Sequence, residues 1–278
     1  MLKFLKKRNI VRPVALKRCE RVYAVGDLHG RFDLFEKILK EIGDDVTQNP
    51  VKTFKILFLG DLIDRGPDSA GILTRALQLS KSSKKLMFLK GNHEELFLSA
   101  MNGDQRAAEF FYQIGGRATL MSYGLDPELG DEMDGATLIR WMHDRIPKEH
   151  FDFVSSFEDM VTFADHVFVH AGLKPFVPLK KQRLSDLRWI RREFTGFGGE
   201  FPGVVIHGHS ISSEVDETQF RIGIDTGAYR TGRLTAVAVD ANERRYLSVQ
   251  GEPGDYSMSP IELAVDKSYS DYPRHAAE

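Results

Sequence analysis

Three polar strings each begin where a short apolar run ends: Gly26-Asp-Leu-His-Gly30 after Arg21–Val25, Gly60-Asp-Leu-Ile-Asp-Arg-Gly66 after Phe54–Leu59, and Gly91-Asn-His-Glu94 after Leu86–Leu89. Short apolar runs closed by glycine read as buried strands, and the glycines let the following turn aim side chains off the strand end. After each turn the apolar spacing becomes helical: Phe32, Phe35, Ile38, Leu39 and Ile42 in the first unit, about Asp68 to Ser80 in the second, Leu96, Phe97 and Met101 in the third. Repeated strand and helix alternation calls for an α/β fold with polar groups gathered at the carboxyl ends of its strands.

The second half is strand-rich, with Met160–Phe163, Val167–Val169, Val204–Ile206, Phe220–Ile224, Leu234–Val239 and Tyr246–Val249, interrupted by a helix near Leu184–Phe194. Between the halves, residues 105–154 carry helical periodicities, Gly115-Gly116, Asp126-Pro127 and the acidic Asp131–Asp134, which predict a helical insertion capping the site. The expected organisation is one domain over residues 21–250, a basic extension at 1–20 and a loosely packed tail at 251–278. A single cysteine, Cys19, excludes an internal disulfide framework and points to a reducing cytoplasm. No segment has the apolar length to enter a membrane stably. Residues 1–21 hold eight Lys/Arg against Glu20, so the remainder is acidic and unsuited to nucleic acid.

Asp27 and His29, two apart on one turn, can converge on a single cation. Asp61 offers two carboxylate oxygens and can bridge to a second cation, completed by Asn92, His170 in Val-Phe-Val-His-Ala-Gly and His209 in Val-Val-Ile-His-Gly-His. Mixed carboxylate, amide and imidazole donors suit two divalent ions of Mn, with Fe or Zn as alternatives. Two such ions against two aspartates leave a positive centre that binds phosphate and acidifies a bridging water for direct attack. Arg65 offers a planar fork to phosphate oxygens, Arg191 a second, with Arg192 as fallback. His93 is placed to protonate a departing alkoxide, and Asp64 to hold its other nitrogen. His207 could be a ligand in place of His209, but it sits at the strand edge whereas His209 lies past Gly208, so His207 is expected to pack behind the ligands. Trp189 and Tyr229 are expected to be packing residues, and His143, His150 and His166 to lie on the surface or in the core. Any one of these strings could be a structural turn. Six metal-binding residues all falling at the ends of apolar runs could not.

In this order the motifs resemble the phosphoprotein phosphatase family of calcineurin-like metallophosphoesterases, over Val22 to Val239. The resemblance implies a β-sandwich flanked by helices, a dinuclear Mn or Fe/Zn centre, and hydrolysis of phosphoserine or phosphothreonine in a protein or peptide. It places first-metal ligands on Asp27, His29 and Asp61, and second-metal ligands on Asp61, Asn92, His170 and His209. The proton donor and its partner fall on His93 and Asp64, the phosphate-binding arginine on Arg65, and a less sharply matched one on Arg191. Gly115-Gly-Arg-Ala-Thr-Leu-Met-Ser-Tyr123, Ile224-Asp-Thr-Gly-Ala228 and Gly232-Arg-Leu-Thr-Ala236 are similar to segments of the bacterial and phage branch. Symmetrical dinucleoside tetraphosphate hydrolases share the last two, but resemble Gly-Asp-Leu-Val-Ala-Arg-Gly where Asp64 stands here. They are the alternative.

Overall fold

Strand alternation sets the layers. In β2 (Arg21–Val25) Val22 and Ala24 face one side, with Leu57 and Leu59, while Tyr23 and Val25 face the other, with Ile56 and Phe58. Both faces are buried, which is why these strands read as continuous apolar runs. The computed structural model describes residues 14–15, 21–240 and 243–254. Cys19, most of the basic extension and the tail beyond residue 254 lie outside the described residues.

One sheet runs β11 (Arg244–Gln250), β10 (Arg233–Asp240), β2, β3 (Phe54–Phe58), β4 (Leu86–Phe88), with β2, β3 and β4 parallel and the other two antiparallel. The other runs β1 (Val14–Ala15), β5 (Met160–Phe163), β6 (His166–Val169), β7 (Val204–His207), β9 (Arg221–Gly223), β8 (Asp216–Glu217). Val14 pairs with Val161 and Ala15 with Thr162, so part of the expected N-terminal extension is an edge strand rather than a solvated arm.

Val22, Ala24, Leu57, Val237 and Val239 of the first sheet meet Val161, Phe168, Ile206 and Ile222 of the second in one apolar cluster. This is the sandwich interior. The outer face of the first sheet carries α1 (Phe32–Gln48), α2 (Ser69–Ser82), α3 (Asn92–Met101) and the helices of the middle segment, α4 (Gln105–Phe111), α5 (Arg117–Ser122), α6 (Pro127–Asp131), α7 (Gly135–Arg145) and α8 (Lys148–Ser155). Phe58 stacks on Phe88 at 5.2 Å, and Phe88 meets Phe153 and Phe157 at 5.2 and 5.0 Å, fastening α8 to the sheet. Each buried Phe contributes roughly 1.5–3 kcal/mol of transfer free energy, so this column anchors the helical segment firmly.

The single helix expected over Leu184–Phe194 is two, α9 (Leu184–Trp189) and α10 (Arg192–Thr195). Ile190 is extended and Arg191 sits at φ −128°, ψ −105°. Ile190 lies in the outer core with Leu187 and Phe194. No helix among the described residues is long and apolar enough to cross a membrane.

Candidate metal centre

Carboxyl ends of β2, β3, β4, β6 and β7 come together at one rim of the sandwich. The first two turns interlock by backbone bonds: the amides of Leu28 and His29 donate to the Asp61 carbonyl at 3.1 and 2.8 Å, and that of Gly30 to Leu62 at 2.9 Å. The turns are strained. Of seven non-glycine residues with positive φ among those described, five are His29, Asp61, Asp64, Arg65 and His209. Each costs on the order of 1 kcal/mol or more, and strain of this kind persists where surrounding bonds impose it. Gly91 and Gly208 are required by close approach, since a methyl group would strike the carboxylates of Asp61 and Asp27.

The imposing group is Glu94, a buried carboxylate to which sequence reasoning gave no role. It accepts from the amides of Asp61, Leu62 and Gly91, each at 2.8 Å. Burial pushes its pKa up to about 7, with Asp61 adding to the rise, against the amide donors that favour the ionised form.

Donor atoms of His29, Asp61 and His93 lie within 4.8 Å of one another, as do those of Asp61, His170 and His209, all buried. Asp61 Oδ2 is 3.6 Å from His29 Nε2 and 3.4 Å from His170 Nε2, so one carboxylate faces both halves. Asn92 Oδ1 is 3.0 Å from His170 Nε2. Asp27 Oδ2 accepts from the His209 amide at 3.0 Å. Asp27 Oδ1 and His209 Nε2 are buried with no hydrogen-bond partner. Orphaned buried polar atoms are costly, and two beside residues that bring further oxygen and nitrogen donors fit divalent cations.

The far nitrogens are tied back. His29 Nδ1 lies 2.9 Å from the Ile63 carbonyl and His170 Nδ1 2.8 Å from that of Leu59, directing each Nε2 inward. Without a cation, burial holds His29 down to about 3 and His209 well below the imidazole range. Asp27 is pushed well above the carboxylate range by burial and then by Asp225 and Asp61. Burial opposes the Asp61 charge too, but His170 and His93 outweigh it and bring its pKa well down.

His93 Nδ1 is 2.6 Å from Asp64 Oδ2, and Thr119 Oγ1 donates to Asp64 Oδ1 at 2.6 Å. Burial lowers His93 and raises Asp64, so the pair shares one proton across a short contact. Thr119 was legible only as part of the Gly115–Tyr123 string. The middle segment also reaches the site through Gly115, whose carbonyl accepts from the Arg65 amide at 3.0 Å.

Arg65 Nη1 lies 2.8 Å from His29 Nε2, the lone pair a cation would take. Its guanidinium lies 4.8 Å from the centroid of the Tyr229 ring, which also meets His29 edge-on at 5.2 Å. Tyr229 is packed, as expected, but packed against two site residues. Arg191 is half-buried and close enough for its charge to depress His209, whereas Arg192 is exposed. His207 is packed on Phe194 at 4.9 Å and Trp189 Nε1 donates to Glu95 at 3.0 Å. His143 is exposed, His150 lies 2.7 Å from the Tyr123 hydroxyl, and His166 is buried beside Asp165.

A symmetrical bis(5'-nucleosyl)-tetraphosphatase of Acidovorax sp. (strain JS42) is 29% identical over 184 residues, covering 66% of this chain and 51% of that protein. Serine/threonine-protein phosphatase 1 of Salmonella typhimurium is 33% identical over 101 residues, covering 36% of this chain and 42% of its own length. This chain thus spans about half the length of the symmetrical tetraphosphatases of Acidovorax. A solved structure described as a putative diadenosine tetraphosphatase superposes with a TM-score of 0.62 at 20% identity, over 88% of this chain and all of that one, a likeness of fold. The family model for calcineurin-like phosphoesterases matches residues 20–222, the span that holds all six expected ligands, and the chain belongs to that family.

Proposed function

We propose that this chain hydrolyses phosphate monoesters with two divalent cations, Mn first and Fe or Zn next, and that its substrates are serine or threonine phosphates in proteins or peptides in the cytoplasm. Asp27, His29 and Asp61 would hold one cation, and Asp61, Asn92, His170 and His209 the other. The cations would supply Lewis-acid charge at the phosphoryl oxygens and lower the pKa of water.

Arg65 and Arg191 bind phosphate oxygens, Arg65 leaving His29 for the substrate while the Tyr229 ring supports its guanidinium. His93 holds a proton at Nε2, 3.9 Å from Asp61 Oδ2, and gives it to the leaving oxygen. Asp64, fixed by Thr119, takes up the charge at Nδ1. The observation that carries the reading is this buried pair at 2.6 Å. A serine or threonine alkoxide needs a proton to depart, and a phosphoanhydride has far less need.

Turnover of phosphoserine peptide, p-nitrophenyl phosphate and diadenosine tetraphosphate with Mn²⁺ tests it. His93→Asn should cut peptide turnover on the order of 10²-fold or more while the nitrophenyl ester loses much less. Equal losses would count against the acid role of His93, and rapid tetraphosphate cleavage with peptides untouched would defeat the phosphoprotein reading. The second reading, dinucleoside tetraphosphate hydrolysis, is favoured by the Acidovorax relative.

A further inference from the structure

The loop that follows the His170 turn holds an aromatic ring out in water. Phe176 is 92% exposed, and its backbone is at φ 63°, a left-handed conformation that costs a residue of this shape on the order of 1 kcal/mol. Burying a Phe contributes roughly 1.5–3 kcal/mol, so the fold forgoes that gain as well. The loop is nevertheless fastened. Gln182, buried beneath it, accepts from the Lys174 amide at 2.9 Å and donates to the carbonyls of Lys174 and Val177 at 3.0 and 2.8 Å.

Charge around the ring departs from the rest of the chain. Residues 174–192 hold seven Lys/Arg and one acidic residue, Asp186, which is buried, although the chain beyond residue 21 is net acidic. Lys180, Lys181, Arg183 and Arg192 are exposed and enter no ion pair among the described residues. Lys174 pairs with Glu193 at 3.5 Å.

Aromatic contacts connect this rim with the metal centre. His207 meets Phe194 at 4.9 Å, Phe194 meets Phe201 at 5.2 Å, Phe201 meets Phe197 at 5.3 Å and Phe197 meets Phe176 at 5.2 Å. Phe176 therefore lies on the order of 20 Å or less from the histidine two residues before His209, a span that about six residues of extended peptide cover.

We propose that this rim docks an acidic, extended segment of a phosphoprotein substrate, with an apolar side chain on Phe176 and carboxylates on Lys180, Lys181 and Arg183. The inference rests on the phosphoprotein reading and adds the sequence character of the substrate. Arg191, at the near end of the rim, joins the docked segment to the phosphate.

Steady-state kinetics with Mn²⁺ on two phosphoserine peptides of equal length test the rim. One carries a leucine and glutamates within about six residues of the phosphoserine, the other alanine and serine there. The acidic peptide should show a KM lower by about tenfold at low salt, an advantage that salt erodes. The double variant Lys180→Glu, Lys181→Glu should abolish that advantage and Phe176→Ser should reduce it about threefold, with kcat and p-nitrophenyl phosphate turnover unchanged. Equal KM for both peptides in the unaltered protein would overturn docking and leave phosphoprotein hydrolysis standing. Turnover of the nitrophenyl ester with neither peptide cleaved would overturn both. A KM rise for diadenosine tetraphosphate alone in Phe176→Ser would replace the proposal with base stacking.

Discussion

The two sheets deliver their site residues differently. At the edge of the five-stranded sheet, Asp27, His29, Asp61, Asn92 and His93 sit on three turns, the first bonded to the second by backbone and the second and third joined by the single carboxylate of Glu94. At the edge of the six-stranded sheet, His170 and His209 each hang on one turn and are located by bonds across the sandwich, His170 Nδ1 to Leu59 and the His209 amide to Asp27. The first half is held by its own bonds, whereas the second has the Gly208 amide donating to the His170 carbonyl at 2.8 Å and relies on its neighbour for the rest. The second half therefore takes part of its geometry from the first.

Asp61→Asn is the most direct attempt to break that asymmetry. The amide keeps the shape of the side chain but removes the charge that faces both histidine groups. Both cations should be lost together and turnover should fall on the order of 10³-fold or more. Metal analysis finding either ion at full occupancy would show that the halves are independent.

Glu94→Gln follows in size. A side-chain amide cannot accept three backbone donors as the carboxylate does, because its nitrogen is itself a donor. Metal affinity should drop about 10- to 100-fold, through the Asp61 turn and without loss of any proposed ligand. Titration calorimetry with Mn²⁺ checks it, and unchanged affinity would mean that the strained turns hold without Glu94.

The two halves were also unequally legible in the sequence. Asp27, Asp61 and Asn92 could be read because each had to follow a buried strand directly, and glycine marks the turn. Glu94 could be seen, but its string reads equally as a helix start, and only the fold brings the Asp61 amide to it from 33 positions away. Thr119 is farther still from Asp64, at a separation of 55. The break at Ile190–Arg191 was hidden because Leu184, Leu187 and Phe194 keep an apolar spacing that a continuous helix would also show. The pairing of Val14–Ala15 with β5 is a long-range choice that two residues cannot announce.

Thr119→Val sharpens the view of the middle segment as a contributor to the first half. The substitution keeps the volume and removes the hydroxyl that donates to Asp64 Oδ1 and accepts from the Asp64 amide. Turnover of alkyl phosphates should fall about tenfold with metal content unchanged, since a neutral-to-charged hydrogen bond of this kind contributes about 1.5–3 kcal/mol. Loss of metal instead would move Thr119 from proton handling to support of the turn.

The smallest expected effect separates the helical layer from the site by pH. His150, on α8, is buried with its Nδ1 2.7 Å from the Tyr123 hydroxyl and its Nε2 3.4 Å from Thr74. Burial lowers its pKa, opposed by Glu149. In the unfolded chain the imidazole takes a proton near its ordinary pKa of about 6.5, and the folded chain resists it. Its contribution to stability is therefore complete above that pH and is lost as pH falls toward the folded pKa, with a slope of at most about 1.4 kcal/mol per pH unit. Burial lowers His29, His93 and His209 in the same direction, while Asp61 raises His170 against its burial, so the wild-type slope alone does not isolate His150. Urea unfolding of wild type and His150→Gln at pH 7.5 and 5.5 does, because only the His150 share disappears in the variant. A variant that loses as much stability on acidification as wild type would assign the whole slope to the site edge.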